Sequence, residues 1–266
     1  MKVGFIGCGN MAEAILCGCL GKRFFEPANA MICEIDLKRL AYITDKWGVQ
    51  CTDNMLELLD FADVVIVAVK PQTFPIVLSK DVGIKAVEKR ITFVSIAAGL
   101  SLLQIEEMLA QKVPVVRVMP NLNVQICEGT TAICANSLVT AENKMYVTSL
   151  FQAIGNVHEI PEEQFSVFSA IAGCSPAFTY MYIDALARAA ARFGMKKQLA
   201  SEVAASAVAG SAKNLSQSAL HAWELIDQVC SPGGVTLEGI SALQEGRFEV
   251  AVSNAVKACV YRDKNM

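Results

Sequence analysis

The residues with the clearest chemical signature lie at the start of the chain. Gly7, Gly9 and Ala12 have the G-x-G-x-x-G/A spacing, which follows a short apolar run and precedes a helical pattern. The first glycine permits a tight turn, the second lets the backbone approach a pyrophosphate, and the small third residue lets the helix pack on its strand. Free N–H groups at this helix start, with Asn10 and Met11, would face the phosphates. The segment predicts dinucleotide binding; the alternative is a glycine turn in a fold that binds nothing.

A carboxylate follows the second predicted strand. Glu34 ends the apolar run Ala30–Cys33, about twenty residues beyond the glycine turn, where a dinucleotide fold places the group that meets the adenosine ribose. A carboxylate accepts hydrogen bonds from ribose hydroxyls and repels a 2′-phosphate. Lys38 and Arg39 begin the next predicted helix and could offset that repulsion. We predict that Glu34 contacts the ribose, so that NADH is well used; the alternative is a solvated strand end.

A second candidate site lies in the C-terminal half. Ser231 has a hydroxyl suited to capping a helix, and Gly233 and Gly234 leave the backbone bare. A predicted helix over 235–244 begins there and carries the hydroxyl of Thr236 in its first turn. A helix start with exposed N–H groups is suited to a small carboxylate. The alternative is an ordinary tight turn between helices.

The first of these sites must be positioned by a sheet. Over about 160 residues, strands alternate with helices, and runs such as Ala62–Val69 are mostly apolar and rich in β-branched residues. This alternation predicts an α/β, doubly wound and mostly parallel sheet, in which ligands bind at the carboxyl ends of the strands. The segments that follow predicted strand ends are Gly7–Gly9, Glu34, Lys70–Pro71, Ala97–Gly99 and Met119–Asn121.

Beyond Pro161 the composition changes, because alanine and serine dominate and β-branched runs end. The stretch Phe165–Ile183 contains no charged residue, but its serines, Gly173 and Pro176 argue against a membrane span. Helices this apolar are expected to pack against a second subunit, in an obligate homodimer or a larger homo-oligomer. Long helices are predicted over Glu162–Phe193, Lys196–Gln217 and Arg247–Arg262.

The bulk composition excludes several classes. The 266 residues are 53% hydrophobic with a net charge of −3, so the chain can bury a sizeable core and has no basic excess for nucleic acid. The ten cysteines form no C-x-x-C pair and both histidines stand alone, so we predict no metal site and free, buried thiols in a reducing compartment. The N-terminal apolar run is too short for a signal peptide, and we predict a cytoplasmic protein.

The whole chain resembles pyrroline-5-carboxylate reductases. The resemblance implies an N-terminal doubly wound Rossmann domain over 1–160, followed by an all-helical dimerisation and substrate domain over 161–266. It also implies reduction of 1-pyrroline-5-carboxylate to L-proline, the last step of proline biosynthesis, with hydride transfer from NADPH or NADH to the cyclic imine. The segments similar to family motifs are Gly4–Ala12, Val69–Gln72, Ser95–Gly99, Arg117–Asn121 and Asp227–Thr236.

The resemblance also implies a set of site residues. The substrate is expected between the nicotinamide and the Ser231–Thr236 loop, near the dimer interface, with Lys70 at the nicotinamide ribose. A protonated imine is already a good electrophile, so the enzyme would supply positioning and a dry site. The catalytic candidates are Thr236 and Lys70. Expected cofactor contacts are Gly7, Gly9, Asn10, Met11, Ala12, Glu34, Asn54, Val69, Lys70, Pro71, Ala97 and Gly99. Expected substrate contacts are Met119, Asn121, Val229, Ser231, Gly233, Gly234 and Thr236.

The sequence departs from the family pattern at two places. Leu122-Asn123 replaces the usual Thr-Pro, and Cys174-Ser175 replaces Ser-Gly. Both changes are expected to affect the pocket floor or the subunit contact. Two other classes therefore stay open. A β-hydroxyacid dehydrogenase would share the fold, although Phe165–Ile183 lacks the catalytic lysine of that class. A non-catalytic, nucleotide-binding paralogue is the other. Glu34 also stands where NADPH-preferring members tend to carry a small polar or basic residue.

Overall fold

The computed structural model describes residues 1–265, which form two compact units. The first contains Met1–Gly173 and the residues from Val260 onward, and the second contains Cys174–Cys259. The strands, all in the first unit, are β1 Val3–Ile6, β2 Ala30–Cys33, β3 Gln50–Thr52, β4 Val64–Val67, β5 Thr92–Ser95, β6 Val115–Met119, β7 Gly129–Ala135 and β8 Gly155–Glu159. The helices before residue 169 are α1 Asn10–Gly21, α2 Leu37–Trp47, α3 Met55–Phe61, α4 Phe74–Val77, α5 Lys80–Lys89, α6 Leu102–Leu109, α7 Ala141–Gln152 and α8 Phe165–Phe168.

The strands form one sheet in the order β3-β2-β1-β4-β5-β6-β7-β8. Strands β1 to β6 are parallel, whereas β7 pairs antiparallel to β6 and parallel to β8. Val3 of β1 is in register with Ala30 of β2 on one side and Val64 of β4 on the other. The predicted doubly wound sheet is confirmed. From β1 the chain adds β2 and β3 on one side of the sheet, and it then crosses over to add β4, β5 and β6 on the other side. The carboxyl ends of β1 and β4 therefore form the crevice where such folds bind ligands.

Both faces of this sheet are covered, which explains the continuous apolar strands. In β4, Val64 and Ile66 pack into the core on one face, while Val65 and Val67 pack into the core on the other. Side chains alternate across a strand, so a strand buried on both faces needs apolar residues at every position. Helix α1 packs through Ala12 and its neighbours into the core that contains Val64 and Ile66. This packing fixes the helix that follows the glycine turn against the sheet.

The second unit is helical. It holds α9 Ser175–Arg192, α10 Lys197–Gln217, α11 Ala222–Val229, α12 Val235–Glu245 and most of α13 Phe248–Lys264. The helices predicted over Lys196–Gln217 and Arg247–Arg262 are confirmed within a residue or two. The sequence pattern does not predict α11, because its N-cap is His221, whose Nδ1 accepts the N–H of Trp223. Histidine is not among the usual capping residues.

The single helix predicted over Glu162–Phe193 is wrong. A 3-10 turn at Glu162–Gln164 leads into α8, and a π-helical turn at Ser169–Cys174 then separates α8 from α9. Pro176 has no N–H to donate to the carbonyl four residues earlier, and its ring crowds that carbonyl. Asn121 supplies the missing bond, because its Nδ2 donates to the oxygen of Ala172 at 3.0 Å.

The uncharged stretch Phe165–Ile183 is not buried all round by its own chain. Met181 is 77% exposed and Tyr180 is 57% exposed. Met181 also lines an apolar groove of about 480 Å³ within the second unit, which is formed by residues of α9, α12 and α13. None of the helices within residues 1–265 combines the length and the apolar character needed to cross a membrane.

One ion pair fastens the end of the first unit to the sheet. Arg117 of β6 is buried, its Nη1 lies 2.9 Å from Oε1 of Glu162, and its guanidinium stacks on Phe165. The same carboxylate oxygen accepts the N–H of Leu102 at the start of α6. Removing the anion would leave a buried cation unpaired.

We therefore expect Glu162→Ala to lower the free energy of unfolding by about 3 kcal/mol. The measurement is urea denaturation at a fixed protein concentration. Glu163→Ala is the matched control, because Glu163 lies in the same turn but is exposed, and its loss should change stability by about 0.5 kcal/mol or less. Equal unfolding midpoints for the two variants would contradict the structural role of the ion pair.

Candidate active site

The turn after β1 requires glycine at its first position. Gly7 has a φ of +84°, in the left-handed region. A Cβ there would lie 2.7 Å from Cγ1 of Val69 and 3.2 Å from the carbonyl oxygen of Ala68. The N–H of Gly7 donates to the carbonyl of Cys33 at 2.8 Å, which ties the turn to β2. Both the conformation and the space at this position therefore exclude a side chain.

Gly9 is bare for a different reason. Its φ of −72° suits any residue, and a Cβ at this position would meet no atom of the described chain within 4 Å. Gly9 is the N-cap of α1, and within residues 1–265 no side chain caps this helix. The first amides of α1, from Asn10 and Met11 onward, therefore begin beside open space. This arrangement fits a pyrophosphate, which takes up the N–H groups of a helix start.

A cleft of about 300 Å³ lies at the carboxyl ends of β1, β2 and β4. It brings together five of the predicted cofactor contacts, which are Gly7, Gly9, Glu34, Val69 and Lys70. Lys70 is exposed at its edge. Cleft residues that the sequence did not indicate include Cys33, Ile35, Met55 and Thr73.

Two other predicted cofactor contacts, Asn54 and Pro71, shape the backbone next to the cleft instead of lining it. The side chain of Asn54 caps α3 by accepting the N–H of Leu56, and its neighbour Met55 lines the cleft instead. Pro71 begins a 3-10 turn that places Thr73 in the lining. The sequence identified the strand ends but could not specify which residue of each following turn faces inward.

The carboxylate of Glu34 points at the glycine turn. Its Oε2 accepts the N–H of Cys8 at 2.9 Å, and its Oε1 accepts the N–H groups of Ile35 and Asp36 at 2.8 Å and 3.2 Å. Glu34 is half-buried and lines the cleft. An anion thus stands at the end of β2 with backbone donors holding it in place, where a ribose hydroxyl could add a further hydrogen bond.

Arg39 is already paired. Its Nη2 lies 2.5 Å from Oε2 of Glu13, and its Nε donates to the carbonyl of Cys8 at 2.7 Å. Its guanidinium is therefore occupied in this structure, rather than free to offset a 2′-phosphate. Lys38 is exposed beside it. Burial raises the pKa of the Cys8 thiol to about 12, so this thiol is neutral.

The predicted contacts that follow β5 and β6 differ in exposure, because Ala97, Met119 and Asn121 are buried whereas Gly99 is exposed. Ala97 belongs to the core, and Gly99 has a φ of +77°. Met119 packs against Phe165 in a separate apolar cluster. The amide of Asn121 is used by the backbone, since Oδ1 accepts the N–H of Thr130 at 3.1 Å while Nδ2 holds the carbonyl described above. The described lining of the cleft includes none of these four residues.

The second candidate site forms a tight turn within the helical unit. The prediction that Ser231 caps the following helix is wrong, because Gly234 is the N-cap of α12 and no side chain of the described residues caps it. Ser231 instead accepts the N–H of Gly234 at its carbonyl oxygen, at 2.9 Å. Gly233 has a φ of +69°, and a Cβ on Gly234 would lie 2.3 Å from Oγ of Ser231. Ser231 lies before the N-cap Gly234, outside the position from which a side chain caps the first amides of α12.

This turn leaves polar groups accessible. The first amides of α12 have no side-chain cap, and Thr236 is half-buried in the first helical turn. Val229 is 67% exposed at the end of α11. The turn therefore resembles the start of α1, with bare glycine backbone followed by uncapped helix amides. It can hold a small anion.

Side chains that commonly bind metal ions are not clustered within the described residues. No group of three or more His, Cys, Asp or Glu side chains within 1–265 is placed to hold an ion. Buried free thiols are those of Cys8, Cys19, Cys33 and Cys134, whereas those of Cys17, Cys51, Cys127, Cys230 and Cys259 are free but only half-buried. The sheet, the glycine turn and the cleft instead define a protein of the Rossmann dinucleotide-binding class.

Comparison with known proteins gives the family. A family model described as NADP oxidoreductase, coenzyme F420-dependent, matches residues 2–99, and one described as pyrroline-5-carboxylate reductase dimerisation matches residues 162–266. The pyrroline-5-carboxylate reductase of Escherichia coli K12 is 35% identical over 265 residues, covering 100% of this chain and 98% of that protein. The chain belongs to the pyrroline-5-carboxylate reductase family.

Solved structures agree with this assignment. A 1-pyrroline-5-carboxylate reductase from Streptococcus pyogenes is 34% identical with a TM-score of 0.87, covering 100% of this chain and 99% of that one. A Plasmodium falciparum pyrroline carboxylate reductase, solved with NADP bound, is 29% identical with a TM-score of 0.89, covering 100% and 97%. The fold is thus that of an NAD(P)-dependent oxidoreductase, with a dimerisation region that indicates a homo-oligomer.

Proposed function

We propose that this chain reduces 1-pyrroline-5-carboxylate to L-proline, using NADPH or NADH. The observation that carries the proposal is that this member of the family retains two bare glycine turns that start uncapped helices. One follows β1 and the other precedes α12. The first suits a pyrophosphate and the second suits a carboxylate, which are the anionic groups of the two reactants.

In this proposal the first turn binds and orients the cofactor. The amides that follow Gly9 hold the pyrophosphate, Glu34 accepts a hydrogen bond from the adenosine ribose, and Lys70 holds the nicotinamide ribose. When bound, the reduced nicotinamide supplies a hydride to the imine carbon. Further contacts in the proposed set are Gly7, Asn10, Met11, Ala12, Asn54, Val69, Pro71, Ala97 and Gly99.

The second turn holds the substrate. The amides of α12 and the hydroxyl of Thr236 bind its carboxylate or its ring nitrogen, and Val229 packs against the ring. Since the imine is protonated before reduction, the nitrogen becomes an amine without a strong acid from the protein. Positioning supplies the rate enhancement. The proposed substrate contacts also include Met119, Asn121, Ser231, Gly233 and Gly234.

The direct test uses the purified full chain with pyrroline-5-carboxylate and each reduced cofactor. We expect loss of reduced-cofactor absorbance that depends on both reactants, with proline as the product. Binding of the cofactor without turnover would instead favour a non-catalytic paralogue. Turnover of a β-hydroxyacid with oxidised cofactor, and none of the imine, would favour the other open class.

Thr236→Ala is expected to lower kcat by about tenfold and to leave cofactor binding unchanged. A hydrogen bond to a charged ligand contributes about 1.5 kcal/mol or more, and each 1.4 kcal/mol is tenfold in rate or affinity. The measurement is steady-state kinetics with cofactor affinity determined separately. Thr236→Ser keeps the hydroxyl and serves as the control. Wild-type kinetics in Thr236→Ala would remove this residue from the site.

We also propose that the homo-oligomer is built on a dimer formed through residues beyond Glu162. Light scattering at micromolar concentration should then give at least a dimeric mass. Met181→Asp should shift the mass toward the monomer, because a charge would enter an apolar interface. Met145→Asp is the control, since Met145 is 67% exposed on α7 of the first unit. A monomeric wild-type protein would refute this proposal.

A further inference from the structure

The glycine turn is held from outside by two charged side chains. Glu34 accepts the N–H of Cys8, as described, and Arg39 donates to the carbonyl of the same residue at 2.7 Å. These bonds restrain two successive peptide groups, since the Cys8 N–H belongs to the peptide with Gly7 and its carbonyl to the peptide with Gly9. The described chain has no cis peptides, so the carbonyl of Cys8 and the N–H of Gly9 point in opposite directions in one plane.

Arg39 is itself fixed on three sides. Its Nε is on the Cys8 carbonyl, its Nη2 is on the carboxylate of Glu13, and its guanidinium lies 5.0 Å from the ring of Tyr42. The side chain is only 23% exposed. A planar guanidinium with donors at fixed angles can hold a carbonyl and a carboxylate at once, which an ammonium group does less well.

Glu13 provides the anchor for this arginine. It lies in the first turn of α1 and also accepts hydrogen bonds from Lys46 at 2.9 Å and from Nε1 of Trp47 at 3.3 Å. Partial burial alone would raise the pKa of the Glu13 carboxyl, but the bonds from Lys46, Arg39 and Trp47 outweigh it and lower this pKa to about 2. Glu13 therefore stays ionised and joins α1 to α2 through Arg39.

We propose that Arg39, anchored by Glu13, is a positioning residue that fixes the Cys8–Gly9 peptide and so aims the amides of the glycine turn at the cofactor. This inference rests on the proposed cofactor site. The bond to the Cys8 carbonyl sets the rotation of the peptide that carries the Gly9 N–H. Both cofactors share the pyrophosphate that these amides bind, so the effect is the same for NADH and NADPH.

The test compares Arg39→Met with Lys46→Met. Lys46 also pairs with Glu13, but its other contacts are with Tyr42 and the ring of Trp47 on its own helix, not with the turn. Direct titration with NADH and with NADPH gives Kd, and assays give KM for the imine and kcat at saturating cofactor. We expect Arg39→Met to raise both cofactor Kd values by about tenfold each. In Arg39→Met, the KM for the imine and the kcat at saturating cofactor should equal the wild-type values. Lys46→Met should leave both cofactor Kd values unchanged.

Arg39→Lys keeps the test decisive if Arg39→Met folds poorly. A lysine preserves the ion pair with Glu13 but does not also hold the carbonyl, so this variant should keep the wild-type Tm and still bind both cofactors more weakly. A loss confined to NADPH would overturn the proposal, because Arg39 would then contact the 2′-phosphate directly. Full affinity in Arg39→Lys, or equal losses in Lys46→Met, would overturn it too. Since Kd is measured without turnover, an inactive wild type would count against the proposed function and not against this inference.

Discussion

Gly9→Val is expected to weaken cofactor binding by about 100-fold while the protein stays folded. The backbone at Gly9 has an ordinary φ, and a Cβ there meets no described atom within 4 Å, so a valine side chain would enter the open space beside the first amides of α1. A pyrophosphate displaced from two of these amides loses about 3 kcal/mol, which is about 100-fold in affinity. The measurement is kcat/KM for NADH and NADPH with the Tm of each variant.

The control for this prediction is the neighbouring glycine. Gly7→Ala forces a side chain into the left-handed region and into contact with Val69, so we expect it to destabilise the fold by about 2–4 kcal/mol. Gly9→Val should lower the Tm only slightly, because valine is a poorer N-cap than glycine but its Cβ meets no described atom within 4 Å. If Gly9→Val unfolds the protein, the space beside Gly9 is not open to a side chain. If the variant folds and the cofactor KM is unchanged, that space is not a ligand site.

Local patterns in the sequence were sufficient for much of the fold. The parallel strands are continuous apolar runs because both faces of the sheet are covered. The capping box at the start of α6 is one example, in which the N–H of Ser101 and that of Gln104 each donate to a side-chain oxygen of the other residue. Such features depend on residues a few positions apart, and their physical basis can be recognised without knowing the tertiary structure.

Apart from the locally capped α11, the features that escaped prediction depend on partners distant in sequence. The break before α9 depends on Pro176, but the donor that stabilises it is Asn121, fifty-one residues from the carbonyl it binds. The same holds at the cofactor cleft. The position of Glu34 was evident from the spacing, but its bond to Cys8 and the pairing of Arg39 with Glu13 require the α1–α2 packing. Composition alone could not show that Arg39 is already engaged.

Because Arg39 is paired with Glu13, it is not free to neutralise a 2′-phosphate, and we expect this to affect the choice between NADH and NADPH. NADH should be used at least as well as NADPH, because the carboxylate of Glu34 stands where the adenosine ribose is proposed to bind. The half-buried Arg39, which contacts the same turn, is already paired with Glu13. A 2′-phosphate carries nearly two negative charges near neutral pH. Repulsion of about 1 kcal/mol per unit charge at 4 Å in water gives about 2 kcal/mol against NADPH, which is roughly 30-fold.

Glu34→Gln isolates this charge. The glutamine amide oxygen can still accept the N–H of Cys8, so the glycine turn keeps its contact while the repulsion is removed. The side-chain NH2 cannot accept the N–H groups of Ile35 and Asp36, but this loss affects both cofactors alike and cancels in their ratio. We expect the ratio of kcat/KM for NADPH over NADH to rise by about 30-fold in this variant. Glu34→Ser should shift the ratio in the same direction but weaken both cofactors, because it also releases Cys8. High salt should narrow the wild-type difference, since screening reduces the repulsion. A strong wild-type preference for NADPH that Glu34→Gln does not change would show that residue 34 does not read the ribose.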